Sequence, residues 1–260
     1  MITVTSAQLA AWLGQLFWPF VRVGACLMVA PAFGAASVPA RIRIVLAGAI
    51  ALTIAPLVSA PVGIEPLSAR GVVVTVQQIV IGVALGFSLQ LIFDAVTLGG
   101  QMLANGMGLS FAYNIDPLHG EETTVVGQLY GMLVLLVFLA LNGHLLVIRV
   151  LVDGFRTLPV GTASFGAHGL WQLATWGSEI FRGALAISLP GVTALAVVNL
   201  AFGVMSRAAP ALNPFSVGFP ISLLLGLLIV LVSLPMLETT FVRLMSEAFR
   251  LVQHLLGPSV

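Results

Sequence analysis

The chain contains no lysine; all ten of its basic residues are arginine. A phosphate-binding loop needs a lysine on the nucleotide and Schiff-base catalysis needs a lysine amine, so both chemistries are excluded. Any ATP-driven step must happen in another chain. Charge of either sign is scarce: Asp, Glu, Lys and Arg make up 7% of 260 residues, against about 25% in a soluble domain. Such a chain has too little polar surface to cover a water-facing fold. With a net charge of +1 it also lacks a basic patch for nucleic acid. Cys26 is the only cysteine, which excludes an intramolecular disulfide and a thiolate metal cluster. No Arg precedes Arg22, so the N-terminus lacks the basic region of a cleaved signal peptide, and the first apolar run is expected to stay in the mature protein.

What is present is apolar. Hydrophobic residues account for 59% of the chain and the mean hydropathy is +1.12. A polytopic membrane protein, or a subunit buried in a large apolar assembly, is implied. Apolar runs fall at about 9–30, 42–62, 71–98, 125–152, 184–205 and 215–234. The predicted fold is all-α: a membrane-associated bundle of about six long, kinked hydrophobic helices plus amphipathic ones. Pro56, Pro190-Gly191 and Pro235 are expected to kink or end their runs. Backbone groups freed at membrane depth need other protein to satisfy them, so obligate assembly with partners is expected. Residues 168–182 and 238–256 have amphipathic spacing, the former with Trp171 and Trp176 suited to an interface. The arginines tilt weakly toward cytoplasmic termini. The pairs Gly82/Gly86 and Gly127/Gly131 have the spacing of close helix packing, within the chain or between chains.

Residues 99–124, GGQMLANGMGLSFAYNIDPLHGEETT, stand apart. Gly99, Gly100, Gly106 and Gly108 predict a poor helix, yet the segment is too apolar for a solvated loop. It is expected to pack inside a protein cavity or pore. Met, Leu and Phe on a glycine-rich backbone can seal a channel by packing and deform when displaced; a static core-filling loop fits the same pattern. Asp116, Glu121 and Glu122 end it as an acidic rim, either solvated or facing a conduit.

Four of the polar residues inside the apolar runs are candidates for buried roles: Arg22, Asp94, Asn142 and His144. An Arg facing lipid costs at least ~2.5 kcal/mol, so Arg22 should face protein or water. Trp18 lies one turn back for a cation–π contact, and Asp94 is a possible ion-pair partner. His144 reads as an interhelical hydrogen bond or a proton relay. Ser110 is in no nucleophile elbow, and the four His form no i,i+4 metal pair. No catalytic, cofactor or metal site is expected.

Four stretches then carry a resemblance: PAFGAASVPARIRIVLA (31–47), MGLSFAYNIDP (107–117), LVFLALNGHLLVI (136–148) and SRAAPALNPFSVGFPISLLLGL (206–227). In this order, over nearly the whole chain, they resemble the FliR family of flagellar type III export-gate proteins. Ala211 and Pro214 depart from the family pattern, which has Gln and an aliphatic residue there; the added proline should sharpen the turn. The resemblance implies a core subunit of the export gate in the bacterial inner membrane, at the flagellar basal body. FliP and FliQ would be its ring-forming partners, with FlhB and FlhA beside it and unfolded flagellar subunits as transient cargo. It implies a FliP-like portion at 1–152 and a FliQ-like portion at 153–260.

The loop matching Asn105 to Glu122 would be a pore plug. The residues it would contribute are Asn105, Gly106, Met107, Gly108, Leu109 and Ser110, then Phe111, Tyr113, Ile115 and Asp116. The motif from Arg207 through Pro210, Asn213, Pro214 and Phe215 to Gly218-Phe219-Pro220 would be an assembly turn. Export would be driven by the proton-motive force and an ATPase in other chains. The rival reading is a stand-alone polytopic solute transporter with Arg22, Asp94 and His144 at a midplane site. Such proteins usually show inverted repeats, and no convincing one is seen.

Overall fold

A computed structural model describes residues 6–34, 38–58, 64–109, 124–161, 165–208 and 214–257. Among them there are eight α-helices and no strand: α1 (Ser6–Val29), α2 (Ala40–Ile54), α3 (Ala69–Gly106), α4 (Val125–Ala140), α5 (Gly143–Thr157), α6 (Ala167–Trp176), α7 (Glu179–Ala208) and α8 (Pro214–Leu256). This is the all-α membrane bundle expected from composition. Four stretches are long and apolar enough to cross a bilayer: α2 with its short 3-10 turn at Ala55–Leu57, α3, the α6–α7 region, and α8. In the apolar windows of α2, α7 and α8 only 22% of residues are buried, against 67% in α3. Large side chains such as Val45, Leu52, Leu200, Val204, Leu231 and Val232 are therefore left bare on the isolated chain. Apolar area of that extent is stable only against lipid or partner subunits.

Three local expectations change. Run four is not one helix: Asn142 takes the left-handed conformation (φ 55°), and α4 and α5 meet there at a bend of 67°. Its N–H donates to the Leu139 carbonyl, and its own carbonyl accepts from Leu145 and Leu146, so one residue ends α4 and starts α5. Asn is among the few side chains that adopt this region readily. The prolines divide: α2 ends at Ile54 and passes into a 3-10 turn at Pro56, as expected, whereas others do not interrupt their helices. Pro190 lies inside a continuous α7, and Pro220 and Pro235 inside a continuous α8 that merges run six with the amphipathic tail. Surrounding structure can re-satisfy carbonyls freed by proline in apolar helices, so continuity survives. The stretch 168–182 divides instead at Gly177-Ser178, where α6 ends and Glu179 opens α7. An acid in the first turn suits the positive end of the helix dipole.

The helices form two compact units. One takes Met1–Gln90, Phe138–Gly177 and Glu247–Val260. Its core joins Trp18, Cys26 and Leu27 of α1 to Ile81 and Leu85 of α3, Leu151 of α5 and Val252 of α8. Here Gly82 and Gly86 serve contacts within the chain. A Cβ on Gly82 would run into the Arg22 carbonyl and lie 2.9 Å from Ala25 Cβ; one on Gly86 would lie 2.6 Å from the Cys26 carbonyl. The other unit takes Leu91–Val137 and Ser178–Ser246. Phe241, Leu103, Met107, Tyr130 and Leu195 are buried in it. The Tyr130 and Ser233 hydroxyls, 2.8 Å apart, tie α4 to α8.

Candidate functional site

Arg22 is fully buried (0% exposed) and every branch of its guanidinium is used. Nε donates to Gln78 Oε1 (2.8 Å), Nη1 to the Gly154 carbonyl (3.0 Å) and Nη2 to the Leu158 carbonyl (2.9 Å). The charge lies 4.0 Å from the centroid of the Phe155 ring. Both carbonyls belong to the C-terminal end of α5, the negative end of its dipole, where a cation is favoured. Arg22 thus replaces the ion pair weighed with Asp94 by three neutral acceptors, and Phe155, not Trp18, supplies the aromatic face. Trp18 packs edge-on against Phe17 instead, at 4.9 Å between centroids. Asp94 and Asn142 are exposed on the isolated chain, and His144 is half-buried with Nδ1 unpartnered. Gln78 and Phe155 were missed from the sequence; a glutamine inside an apolar run was the available signal for the first.

The central segment begins differently from expectation. Residues 99–106, predicted to be non-helical, are the last two turns of α3. Low glycine propensity is outweighed by packing, because these glycines are where other helices come closest. A Cβ on Gly100 would meet the Gly127 Cα at 2.9 Å, and one on Gly99 would meet the Ala184 carbonyl at 3.2 Å. The helix then stops actively. Gly108 is left-handed (φ 82°), its N–H donates to the Asn105 carbonyl, and the Leu109 N–H donates to the Ala104 carbonyl. That pair of bonds is the Schellman arrangement, which satisfies the orphan carbonyls and turns the chain off the helix axis.

Several elements hold this end in place. Gly191, Leu195 and Asn199 recur every four residues on α7, and Ser222 and Gly226 do so on α8, so each set shares one face. Leu103 fills the space beside Gly191, and Met107, one turn on, fills the notch at Gly226. A Cβ on Gly106 would meet Leu195 Cδ1 at 3.1 Å. Asn199 Nδ2 donates to the Gly106 carbonyl (3.2 Å), while Asn199 Oδ1 accepts from the Ser222 hydroxyl (2.8 Å). Asn199, Ser222 and Gly226 were not singled out beforehand; isolated polar residues in runs five and six were the only hint.

Of the expected plug residues, Asn105, Gly106, Met107, Gly108 and Leu109 belong to this stop. Ser110, Phe111, Tyr113, Ile115 and Asp116 lie outside the described residues. In the expected assembly turn, Arg207 is exposed in the last turn of α7 and Pro214 begins α8. Gly218 packs on the Phe202 ring and Phe219 is 41% exposed, while Pro210 and Asn213 fall outside the described residues. Among the described residues no three His, Cys, Asp or Glu side chains come together as a metal site.

These features define a helical membrane protein whose polar groups tie helices together and whose apolar faces await lipid or other subunits. A family model described as bacterial export proteins, family 1, matches residues 13–248. The flagellar biosynthetic protein FliR of Escherichia coli (strain K12) is 40% identical over 258 residues, covering 99% of this chain and 98% of the relative. The protein of the same name from Pectobacterium carotovorum subsp. carotovorum is 39% identical, with 98% of each chain covered. That from Bacillus subtilis (strain 168) is 27% identical over 92% of this chain and 93% of its own. The chain belongs to this family of bacterial export proteins, with the FliR proteins of flagellar biosynthesis, and is a membrane component of the flagellar export apparatus.

Proposed function

We propose that the chain is a core structural and gating subunit of the flagellar type III export channel. In this reading it assembles with FliP and FliQ in the inner membrane at the basal body, beside FlhB and FlhA, and forms part of the pore that unfolded flagellar subunits traverse. Residues 1–152 act as a FliP-like portion and 153–260 as a FliQ-like portion. The segment after α3, through Ser110, Phe111, Tyr113, Ile115 and Asp116, is the plug. The observation that carries the reading is the family match along nearly the full length. The bare apolar faces of α2, α7 and α8, which call for neighbours, support it. The stand-alone transporter is disfavoured because Arg22, its main candidate for a solute site, is sealed by Gln78, Gly154 and Leu158.

Two measurements test this. Expressed with FliP-like and FliQ-like partners, a tagged chain should co-purify with both; recovery as a stable free monomer would sink the assembly reading. Deleting residues 110–115, which spares the stop at Gly108, should leave co-purification intact and make resting cells permeable to ions or small solutes. An assembled deletion variant that stays sealed would reduce the segment to filler.

A further inference from the structure

We infer that the stretch of α7 and α8 around Pro190 and Pro235 is covered by a neighbouring protein subunit that presents hydrogen-bond donors among apolar side chains. The inference rests on the assembly proposed above and adds where a partner bonds and what chemistry it brings. Pro190 lies inside α7 and Pro235 inside α8, and both helices run on through them. Proline has no N–H, so the carbonyl four residues earlier loses its helical donor: Ala186 on α7 and Leu231 on α8. Hydroxyls on the nearby turns are engaged elsewhere. Ser188 donates to the Met102 sulfur, Thr193 to the Leu189 carbonyl and Ser233 to the Val230 carbonyl.

The two acceptors fall in one stretch. A Cβ on Gly183 would meet Leu244 Cδ1 at 2.9 Å, and one on Gly191 would meet Ile229 Cγ2 at 2.7 Å. Helices α7 and α8 therefore run antiparallel here, and both prolines lie between these contacts. Both proline rings are exposed on the isolated chain, as are Leu185, Leu189, Leu228, Val232 and Met236. Three coverings are open to such a face, and two fail. Acyl chains suit the leucines but offer no donor, and an unsatisfied carbonyl in hydrocarbon is strongly unfavourable. Water satisfies the carbonyls but leaves a large apolar area wet. A protein surface supplies side-chain N–H or O–H groups and apolar packing together. The bare face of α2 makes no such demand. No proline interrupts Ala40–Ile54, so the carbonyls around Ile44 and Val45 keep their helical donors, and hydrocarbon would leave nothing there unpaired.

Restoring the N–H separates what favours the chain from what favours the complex. Pro190→Ala and Pro235→Ala each let the helix close its own bond, so the chain should accumulate in the membrane at the parent level or above. The covering subunit then loses its acceptor and keeps a buried donor without a partner. Expressed with its ring partners, each variant is expected to retain about tenfold less partner subunit through a stringent detergent wash. A photo-crosslinking amino acid at Leu189 or Val232, exposed positions beside the two prolines and the freed carbonyls, should give an adduct with a protein subunit in intact membranes.

Adducts with lipid alone, from a complex that assembles normally, would put this face on the bilayer and overturn the inference while the assembly reading stands. Protein adducts together with parent-level retention in both alanine variants would mean that the partner gives the carbonyls no donor, and the inference fails. It fails equally if retention drops only in proportion to the chain's own amount. Recovery of the parent chain as a free monomer overturns the assembly reading itself. Should one alanine variant not accumulate, the other decides between these outcomes.

Discussion

Replacing Arg22 by leucine is expected to lower the thermal midpoint of the purified complex by on the order of 10 °C, and the lysine variant by about half of that. Leucine leaves Gln78 Oε1 and the Leu158 carbonyl without their donor; the Gly154 carbonyl still accepts from the Leu158 N–H. Each orphaned buried acceptor costs about 1–3 kcal/mol, and the shorter side chain leaves part of the guanidinium volume empty. Against this stands relief from burying a charge, which for ion pairs replaced by apolar groups is often neutral or better. Here the acceptors stay behind, so the loss should dominate, at about 3 kcal/mol net. Lysine keeps the charge but, as a point charge, cannot reproduce the fork that serves Gln78 and both carbonyls or lie flat on Phe155. Thermal unfolding of the detergent-solubilised complex, read as parent above Arg22→Lys above Arg22→Leu, checks the order. A leucine variant as stable as the parent would remove Arg22 as the tie between α1, α3 and α5.

The second large effect is expected at Gly82. A valine there meets the Arg22 carbonyl, Ala25 Cβ and the Cys26 nitrogen, which are backbone or short rigid groups that cannot swing aside. Overpacking of a core costs about 1–3 kcal/mol when side chains can adjust; with backbone as the obstacle, more than 3 kcal/mol is expected. Helices α1 and α3 must separate, and the Arg22–Gln78 bond between them stretches with them. Gly48 of α2 is the matched control, because a Cβ there meets nothing within 4 Å. Gly48→Ala should be neutral or stabilise by up to about 1 kcal/mol through helix propensity alone. Steady-state amount and thermal midpoint should fall for Gly82→Val and hold or rise for Gly48→Ala. Equal effects would mean that the approach at Gly82 is loose.

The polar residues divide by how their environment was recorded in the sequence. Arg22 inside an apolar run demanded a buried partner, and it has several. Which partners it finds depends on residues 56, 132 and 136 positions away, a separation no local pattern reports. Asp94 was a reasonable candidate on charge alone, yet neutral carbonyls at the end of α5 satisfy the guanidinium. Asn142 looked like a buried polar group, but its side chain is exposed and its contribution is the backbone turn between α4 and α5. Glycine was the hardest residue to read. Gly99 and Gly100 argued against helix by propensity and lie within one, whereas Gly108 ends it by taking a left-handed conformation.

The class of this protein was legible in the sequence by itself. Missing lysine, scarce charge and long apolar runs admit an all-α membrane chain and little else, because composition limits the solvent a surface can face. The ordered motifs carried the family in the same way. Only the tertiary structure decided where helices stop, which prolines they pass through, and what Arg22, Met107 and Asn199 touch. Those outcomes depend on close approach between segments far apart in sequence. There a missing Cβ or one well-placed acceptor outweighs a local propensity of less than about 1 kcal/mol per residue.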